Sequence, residues 1–170
     1  RMQFKNPYIV SLVSSVLGET GLPPHLLELE ITESILMDNE EECEKILKSF
    51  RAMGIKTAID DFGTGYSSLS YLKKFAVDRI KIDRTFIKEI PEKDDGAIAK
   101  VIIELATVLH IDVLAEGVET EKQMDFLVKN GCSLAQGYLF SRPLSEEVVT
   151  DFIEKNAESG RDDASHISEM

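Results

Sequence analysis

The chain has 170 residues, 43% hydrophobic and 29% charged, which is enough for one globular domain with a substantial core. Aspartate and glutamate number 31 against 19 lysines and arginines, so the formal net charge is −12. Such a surface repels nucleic acid backbones and acidic membranes, and neither a nucleic acid polymer nor a membrane is an expected partner. No apolar run reaches the length of about 18 residues that membrane insertion requires, and the N-terminus lacks a signal-peptide pattern.

Predicted strands and helices alternate along the chain. Asn6 and Pro7 are expected to begin a first helix, which ends between Gly18 and Gly21. Apolar runs and period-two alternation predict five strands, at residues 26–32, 55–60, 78–83, 112–115 and 132–135. Helical signals follow each strand, at residues 38–53, 67–75, 96–110 and 120–130, and after Ser145. Residues 157–170 are polar, so we predict a domain over residues 1–156 and a tail or linker beyond it.

Two of the predicted helices carry specific signals. Thr120 and Gln123 have the spacing of a capping box at the start of a helix. The helix at 96–110 has an apolar stripe at helical spacing, which we expect to face the core. Its members are Ile98, Val101, Ile102, Leu105, Val108 and Leu109.

The order of these elements predicts the fold class. Strands that alternate with helices imply a parallel sheet with right-handed crossovers. The number of residues per strand–helix unit matches that of an eight-unit barrel, which usually takes about 250 residues. We therefore predict an α/β fold, a partial TIM-type barrel of five C-terminal strand–helix units preceded by one helix. An open, doubly wound five-stranded sheet is the alternative, although the chain has no glycine-rich dinucleotide motif.

Every predicted strand ends in polar or ionisable side chains, and the carboxyl ends of barrel strands converge on one face. The residues concerned are Glu30, Glu33, Asp60, Asp61, Lys81, Glu116, Glu119 and Gln136. Carboxylates about 6 Å apart repel each other by roughly 3 kcal/mol at an effective dielectric near 20. A cluster of them therefore requires protonation or a bound cation. An isolated pair such as Asp60 and Asp61 would equally fit a solvated turn that caps a helix.

The ligand atoms in this cluster are hard oxygens. No histidine or cysteine lies near the acidic strand ends, which excludes a typical zinc site and favours Mg²⁺ or Mn²⁺. Asp60 could bridge two ions about 3.5–4 Å apart, and Lys81 could orient an attacking water. A simple strand-end salt bridge remains the alternative for Lys81. Cys43 and Cys132 are predicted to be reduced core residues of a cytosolic protein, with disulfide pairing as the lesser alternative.

Five motifs, taken in order, closely resemble those of the EAL-domain family, bacterial signalling phosphodiesterases that open cyclic di-GMP to linear pGpG. They are Glu30-Ile-Thr-Glu33, Asp60-Asp61-Phe62-Gly63-Thr64-Gly65-Tyr66-Ser67-Ser68, Ile80-Lys81-Ile-Asp83, Ala115-Glu116-Gly-Val-Glu119 and Ala135-Gln136-Gly-Tyr-Leu-Phe-Ser-Arg142-Pro143. The Glu-Ala-Leu and Asn-Leu-Ser segments of the family are absent from the chain. The resemblance therefore implies an N-terminally truncated barrel, weak or inactive as a fragment.

The resemblance also implies a role for each matched residue. Two ions of Mg²⁺ or Mn²⁺ are expected on Glu30, Asp60, Asp61 and Glu116. Activation of the attacking water is expected from Lys81, Glu116 and Glu119. Residues on the substrate side or in a supporting layer are Glu33, Asp83, Gln136, Arg142 and Pro143. Glu33 resembles the anchor of a loop that couples metal binding to dimerisation in the family, formed here by Phe62, Gly63, Thr64, Gly65, Tyr66, Ser67 and Ser68.

Two functions follow from the resemblance. The first is metal-dependent hydrolysis of cyclic di-GMP by the parent domain, which would be cytoplasmic or tethered to a membrane through an upstream domain. The alternative is a receptor or signalling module that does not cleave the nucleotide. The expected partners are cyclic di-GMP and a second copy of the chain, because the incomplete barrel would expose an unpaired strand edge.

Overall fold

A computed structural model describes residues 8–38, 40–65, 72, 74–93 and 95–153. The chain divides into two compact units, one ending at Leu139 and the other beginning at Phe140. In the second unit residues 146–153 are helical, and the Val149 N–H donates to the carbonyl of Ser145, the predicted start of that helix. Asn6, Pro7 and the predicted tail at 157–170 lie outside the described residues.

The first unit alternates strands with helices, as predicted. Its strands are β1 (Glu28–Thr32), β2 (Lys56–Phe62), β3 (Arg79–Ile82), β4 (Asp112–Glu116) and β5 (Leu134–Gln136). Its labelled helices are α1 (Ile9–Thr20), α2 (Glu33–Asp38), α3 (Glu40–Ala52), α4 (Ala97–Leu109) and α5 (Glu121–Lys129). Leu72, Lys74 and Phe75 are helical as well, whereas most of the helix predicted at 67–75 lies outside the described residues.

The sheet has the strand order of a barrel. The five strands lie in the order β1-β2-β3-β4-β5, and each neighbouring pair is parallel. A doubly wound sheet would reverse its order at a switch point, and this sheet does not. The prediction of an α/β, partial TIM-type barrel is therefore confirmed. All five strands consequently end on the same rim.

The core lies between the sheet and its helices. It is built largely of aliphatic side chains at most 4% exposed, among them Ile31, Ile59, Ile80, Ile82, Ile102, Ile103 and Leu127. Cys43 and Cys132 are buried thiols, as predicted. Among the described residues, none of the helices combines the length and apolar character that a membrane span needs.

Three predicted boundaries were wrong for local reasons. Strand β1 begins at Glu28 instead of residue 26, because Pro24–Leu26 forms a 3₁₀ turn. The helix predicted from residue 38 begins at Glu40 as α3, because the backbone up to Asp38 forms α2, a six-residue helix too short to show a helical period. Strand β5 begins at Leu134 instead of residue 132, because the Cys132 N–H donates to the Leu127 carbonyl at the end of α5.

The predicted core face of α4 was also wrong in part. The helix buries Ala99, Ile102, Ile103 and Ala106, of which only Ile102 belongs to the predicted stripe. The exposed members are Ile98, Val101 and Val108, at 54%, 63% and 75%. The buried face therefore combines two alanines with two isoleucines, and it is rotated relative to the predicted stripe.

Candidate functional site

A β-bulge brings two adjacent aspartates to the rim at the end of β2. Ile59 pairs with Ile80 and Phe62 with Ile82, so three steps along β2 match two along β3. At the extra residue, Asp61, the backbone has a φ of +53°. Adjacent side chains of a regular strand point to opposite faces, and the bulge removes that separation. Aspartate enters the left-handed region more readily than most residues.

Three carboxylates meet at this point of the rim. Asp60, Asp61 and Glu116, which ends β4, each place an oxygen within 4.8 Å of the other two. Oxygen ligands in such a set fit a hard divalent cation such as Mg²⁺, Mn²⁺ or Ca²⁺, and no soft ligand is among them. The donor set therefore suits the metals that the sequence predicted.

Lys81 on β3 lies at the centre of the acidic cluster and is 4% exposed. Its Nζ atom is 2.6 Å from Glu30 Oε1, 2.9 Å from Asp60 Oδ1 and 2.8 Å from Glu116 Oε1. These ion pairs join β3 to the ends of β1, β2 and β4. The salt bridge that the sequence left open is thus present, and it uses all three donors of the ammonium group.

The electrostatics of the cluster favour a cation. Burial opposes the charge of Lys81, but its ion pairs with Glu116, Glu30 and Asp60 outweigh burial and raise the pKa of the ammonium group. Burial raises the pKa of Glu116, and the charges of Asp60 and Glu30 add to that effect against the opposing Lys81. Burial likewise raises the pKa of Asp61, with the nearby Asp60 and Asp83 adding to it. A bound cation would relieve this repulsion.

A cavity of about 290 Å³ adjoins the cluster and is lined by the carboxyl ends of β2 to β5. It contains the predicted Asp83, Glu119 and Gln136 beside Asp61 and Glu116. Burial tends to raise the pKa of Asp83, but hydrogen bonds from the hydroxyl and N–H of Thr85 outweigh it, so the pKa of Asp83 is lowered.

Four residues that line this cavity were given no role from the sequence, namely Arg84, Gly117, Gly137 and Tyr138. Each follows directly on a predicted strand-end residue or its glycine, and that position was the available signal. Arg84 adds a guanidinium to a cavity that is otherwise lined by acidic and neutral groups.

Glu33 lies against the loop that follows β2. It is 9% exposed, and neither of its carboxylate oxygens has a hydrogen-bond partner within the part of the chain that the structure describes. A Cβ atom on Gly65 would lie 3.0 Å from Glu33 Oε2, so any larger residue there would require the Glu33 carboxylate to shift. Thr64 closes the turn, its hydroxyl donating to the Asp61 carbonyl at 2.8 Å.

Some predicted site residues are not placed in this cluster. Phe62 is buried, and Gly63 and Thr64 follow it, whereas Tyr66, Ser67 and Ser68 lie outside the described residues. Arg142 and Pro143 belong to the second unit, where both are exposed and the Ser141 hydroxyl donates to the Arg142 carbonyl. The roles given to these residues stay predictions.

Comparisons of sequence support a single family. A family model described as the EAL domain matches residues 1–143. Cyclic di-GMP phosphodiesterase NbdA of Pseudomonas aeruginosa is 47% identical over 146 residues, 85% of this chain and 19% of NbdA. Cyclic di-GMP phosphodiesterase PdeR of Escherichia coli is 37% identical over 143 residues, 84% of this chain and 22% of PdeR. The chain thus spans about a fifth of the length of these relatives.

Solved structures share the fold at similar identity. PaMucR phosphodiesterase in complex with cyclic di-GMP aligns with a TM-score of 0.83 at 43% identity, covering 87% of this chain and 60% of that one. Klebsiella pneumoniae BlrP1 in complex with manganese and cyclic di-GMP aligns with a TM-score of 0.75 at 38% identity, covering 83% and 36%.

Proposed function

This chain belongs to the EAL domain family, and from that premise we propose that it serves metal-dependent hydrolysis of cyclic di-GMP to linear pGpG. The observation that carries the proposal is the cluster of Asp60, Asp61 and Glu116 around Lys81 on one rim. The names of NbdA and PdeR, both called cyclic di-GMP phosphodiesterases, support the substrate. The manganese and nucleotide in the BlrP1 complex support a divalent cofactor, Mg²⁺ or Mn²⁺.

The proposal assigns the acidic residues to metal binding. Glu30, Asp60, Asp61 and Glu116 would hold up to two ions. Such ions supply a nucleophile by lowering the pKa of water and neutralise the charge of the phosphodiester. The chain itself carries a net charge of −12, so a cation is also what allows an anionic nucleotide to approach.

Lys81 is proposed to direct the attacking water, and this requires an exchange of partners. Its three donors are already used by Glu30, Asp60 and Glu116. When those carboxylates turn to a metal ion, the ammonium group gains a donor for the water or for a phosphate oxygen. In the ion-pair network, burial is outweighed by the bonds to Glu116, Glu30 and Asp60, which raise the pKa of Lys81, so the ammonium group is charged before the exchange.

Other residues are proposed to support the substrate and the loop. Asp83, Glu119 and Gln136 line the cavity beside the cluster, where they could contact the nucleotide or hold water. Glu33 is proposed to anchor the loop at Gly65, and Arg142 and Pro143 to lie on the substrate side. We also propose a homodimer and, from the two buried thiols, a reducing cytoplasmic location.

A receptor that binds cyclic di-GMP without cleaving it is the second candidate. It is favoured by one observation: the ammonium group of Lys81 is already paired with three carboxylates of the cluster, Glu30, Asp60 and Glu116. In a receptor this ion-pair network would persist when the nucleotide binds. In a phosphodiesterase it must give way to the metal.

The test is hydrolysis of cyclic di-GMP by the chain as printed and by the full-length product of its gene. Each is assayed with Mg²⁺, with Mn²⁺ and with a chelator. Asp60→Asn is expected to lower kcat/KM by at least about 100-fold, whereas Asp125→Asn, an exposed aspartate on α5, should change it less than about twofold. Equal activity of Asp60→Asn and wild type would overturn the metal mechanism. Tight binding without turnover would establish the receptor instead.

A further inference from the structure

Gln123, near the start of α5, is 4% exposed, and every hydrogen-bonding site of its amide is used. Its Oε1 atom accepts from the N–H groups of Glu119 at 2.7 Å and Thr120 at 3.0 Å. Its Nε2 atom donates to the carbonyls of Ile87 at 3.2 Å and Lys88 at 3.3 Å.

Only half of this arrangement is a helix cap. The capping box needs the Gln123 N–H to donate to Thr120 Oγ1 and the Thr120 N–H to donate to the Gln123 side chain, and both bonds are present. A glutamate would serve that purpose equally well. The bonds to the Ile87 and Lys88 carbonyls are no part of a cap, since they reach residues 36 and 35 positions earlier in the chain. An amide can make both sets because it accepts on one side and donates on the other.

The bridge joins the two chain segments that carry the site. The first segment follows β3 and begins just after Lys81 and Asp83. The second runs from Glu116, the last residue of β4, to Glu119. The same two segments also touch at Gly117, which has a φ of +68° and where a Cβ atom would lie 2.5 Å from the Cβ atom of Arg84.

The other side of the Glu116–Glu119 segment is held by β5. The Val118 N–H donates to the Gln136 carbonyl at 3.1 Å, and the Leu139 N–H donates to the Val118 carbonyl at 3.0 Å. The Glu116–Glu119 segment is therefore hydrogen-bonded to the β5 side through Val118 and to Gln123 through Glu119.

We propose that Gln123 is a positioning residue of the site. It fixes the Glu119 backbone to the segment after β3, and so sets the direction in which Glu116 and Glu119 face Lys81 and Asp83. It is no catalytic residue, because it reaches the site only through Glu119 and Thr120. Its effect on turnover rests on the proposed hydrolysis of cyclic di-GMP, whereas its effect on the metal site rests only on the proposed binding of a divalent ion.

Two variants separate positioning from capping. Gln123→Glu keeps the acceptor of the capping box but loses both donors, and it sets a carboxylate against two carbonyl oxygens. Thr120→Ala removes the hydroxyl of the cap and leaves the amide bridge intact. A residue that merely caps α5 would tolerate the first change and be sensitive to the second. A positioning residue would show the reverse.

The experiment uses the full-length gene product and two readouts. The first is Mn²⁺ affinity by calorimetry without nucleotide, and the second is the separate determination of kcat and KM for cyclic di-GMP. Loss of a supporting partner of a metal ligand typically costs about 10-fold to 100-fold. Gln123→Glu is expected to weaken Mn²⁺ binding and lower kcat by that factor with little change in KM, and Thr120→Ala to leave both within about threefold.

The outcomes are distinct. Wild-type Mn²⁺ affinity in Gln123→Glu, or equal losses in the two variants, would overturn the positioning role. If the wild type binds Mn²⁺ but does not hydrolyse cyclic di-GMP, the proposed function fails and the Mn²⁺ comparison still decides the role of Gln123. Absence of Mn²⁺ binding by the wild type overturns both. Should Gln123→Glu not fold, Gln123→Met, which fills the space without any of the four bonds, is expected to show the same losses.

Discussion

Replacing Lys81 by methionine removes the positive charge from the centre of the acidic cluster and keeps an unbranched side chain one atom shorter than lysine. Asp60 and Glu116 would then face each other with oxygens within 4.8 Å. At an effective dielectric near 20, this separation gives a repulsion of about 3 kcal/mol. Loss of one partner of a buried ion pair costs about 3–5 kcal/mol, and we expect the lower end because Glu30 is 48% exposed and its share is screened by water.

The loss of stability should depend on pH, with a sign that the pKa shifts determine. Removing Lys81 raises further the pKa of Glu116, which is already above its ordinary value. A carboxyl whose folded pKa exceeds its unfolded pKa loses stabilising free energy as the pH rises through that interval. The destabilisation by Lys81→Met should therefore be smaller at about pH 5 than at about pH 8.

Urea unfolding of the metal-free protein at low salt measures the effect at both pH values. The control is Lys122→Met, which removes an ion pair to Glu92 of similar length, 2.8 Å, whose side chains are 69% and 61% exposed. This control should leave the unfolding midpoint unchanged. Added Mn²⁺ should raise the midpoint of Lys81→Met more than that of wild type. A loss below about 0.5 kcal/mol, or an equal loss at both pH values, would refute the electrostatic reasoning.

Three further outcomes follow from packing. Gly137→Ala is expected to destabilise the protein by at least about 2 kcal/mol in urea unfolding, because the new Cβ atom would lie 2.1 Å from the Val118 carbonyl oxygen; a neutral result would mean that the two backbones can separate. Gly18→Ala should stabilise the protein by about 0.5–1 kcal/mol in the same assay, since α1 leaves open space there, and any loss would contradict this. Cys43 and Cys132 should resist alkylation of the folded protein at about pH 8 and react in urea. Both are buried, and burial raises the pKa of Cys132, so rapid native labelling of either would contradict the structure.

The parts of the fold that could be predicted from sequence are those set by neighbouring residues. Strand β4 was predicted to within a residue from its apolar run, and the capping box of Thr120 and Gln123 from spacing alone. The convergence of Asp60 and Glu116 followed from the rule that parallel strands of a barrel end on one rim.

What could not be predicted depends on contacts between distant segments. The buried face of α4 includes Ala99 and Ala106, and the choice of that face depends on tertiary packing that the helix sequence does not show. The bulge at Asp61 depends on the pairing of β2 with β3. The bridge from Gln123 to Ile87 joins residues 36 positions apart, and no local pattern encodes it.

The bulge in β2 inserts Asp61 between two regular pairs of the ladder with β3. Phe62 pairs with Ile82 beyond the bulge, so a chain that lacked Asp61 would restore an uninterrupted ladder and still bury Phe62 against Ile82. Asp61 adds no pair to the ladder between β2 and β3, and its backbone lies in a strained region, although its carbonyl accepts hydrogen bonds from Thr64 in the turn that follows. Deletion of Asp61 should therefore keep the strand pairing of the barrel and remove one carboxylate from the acidic cluster.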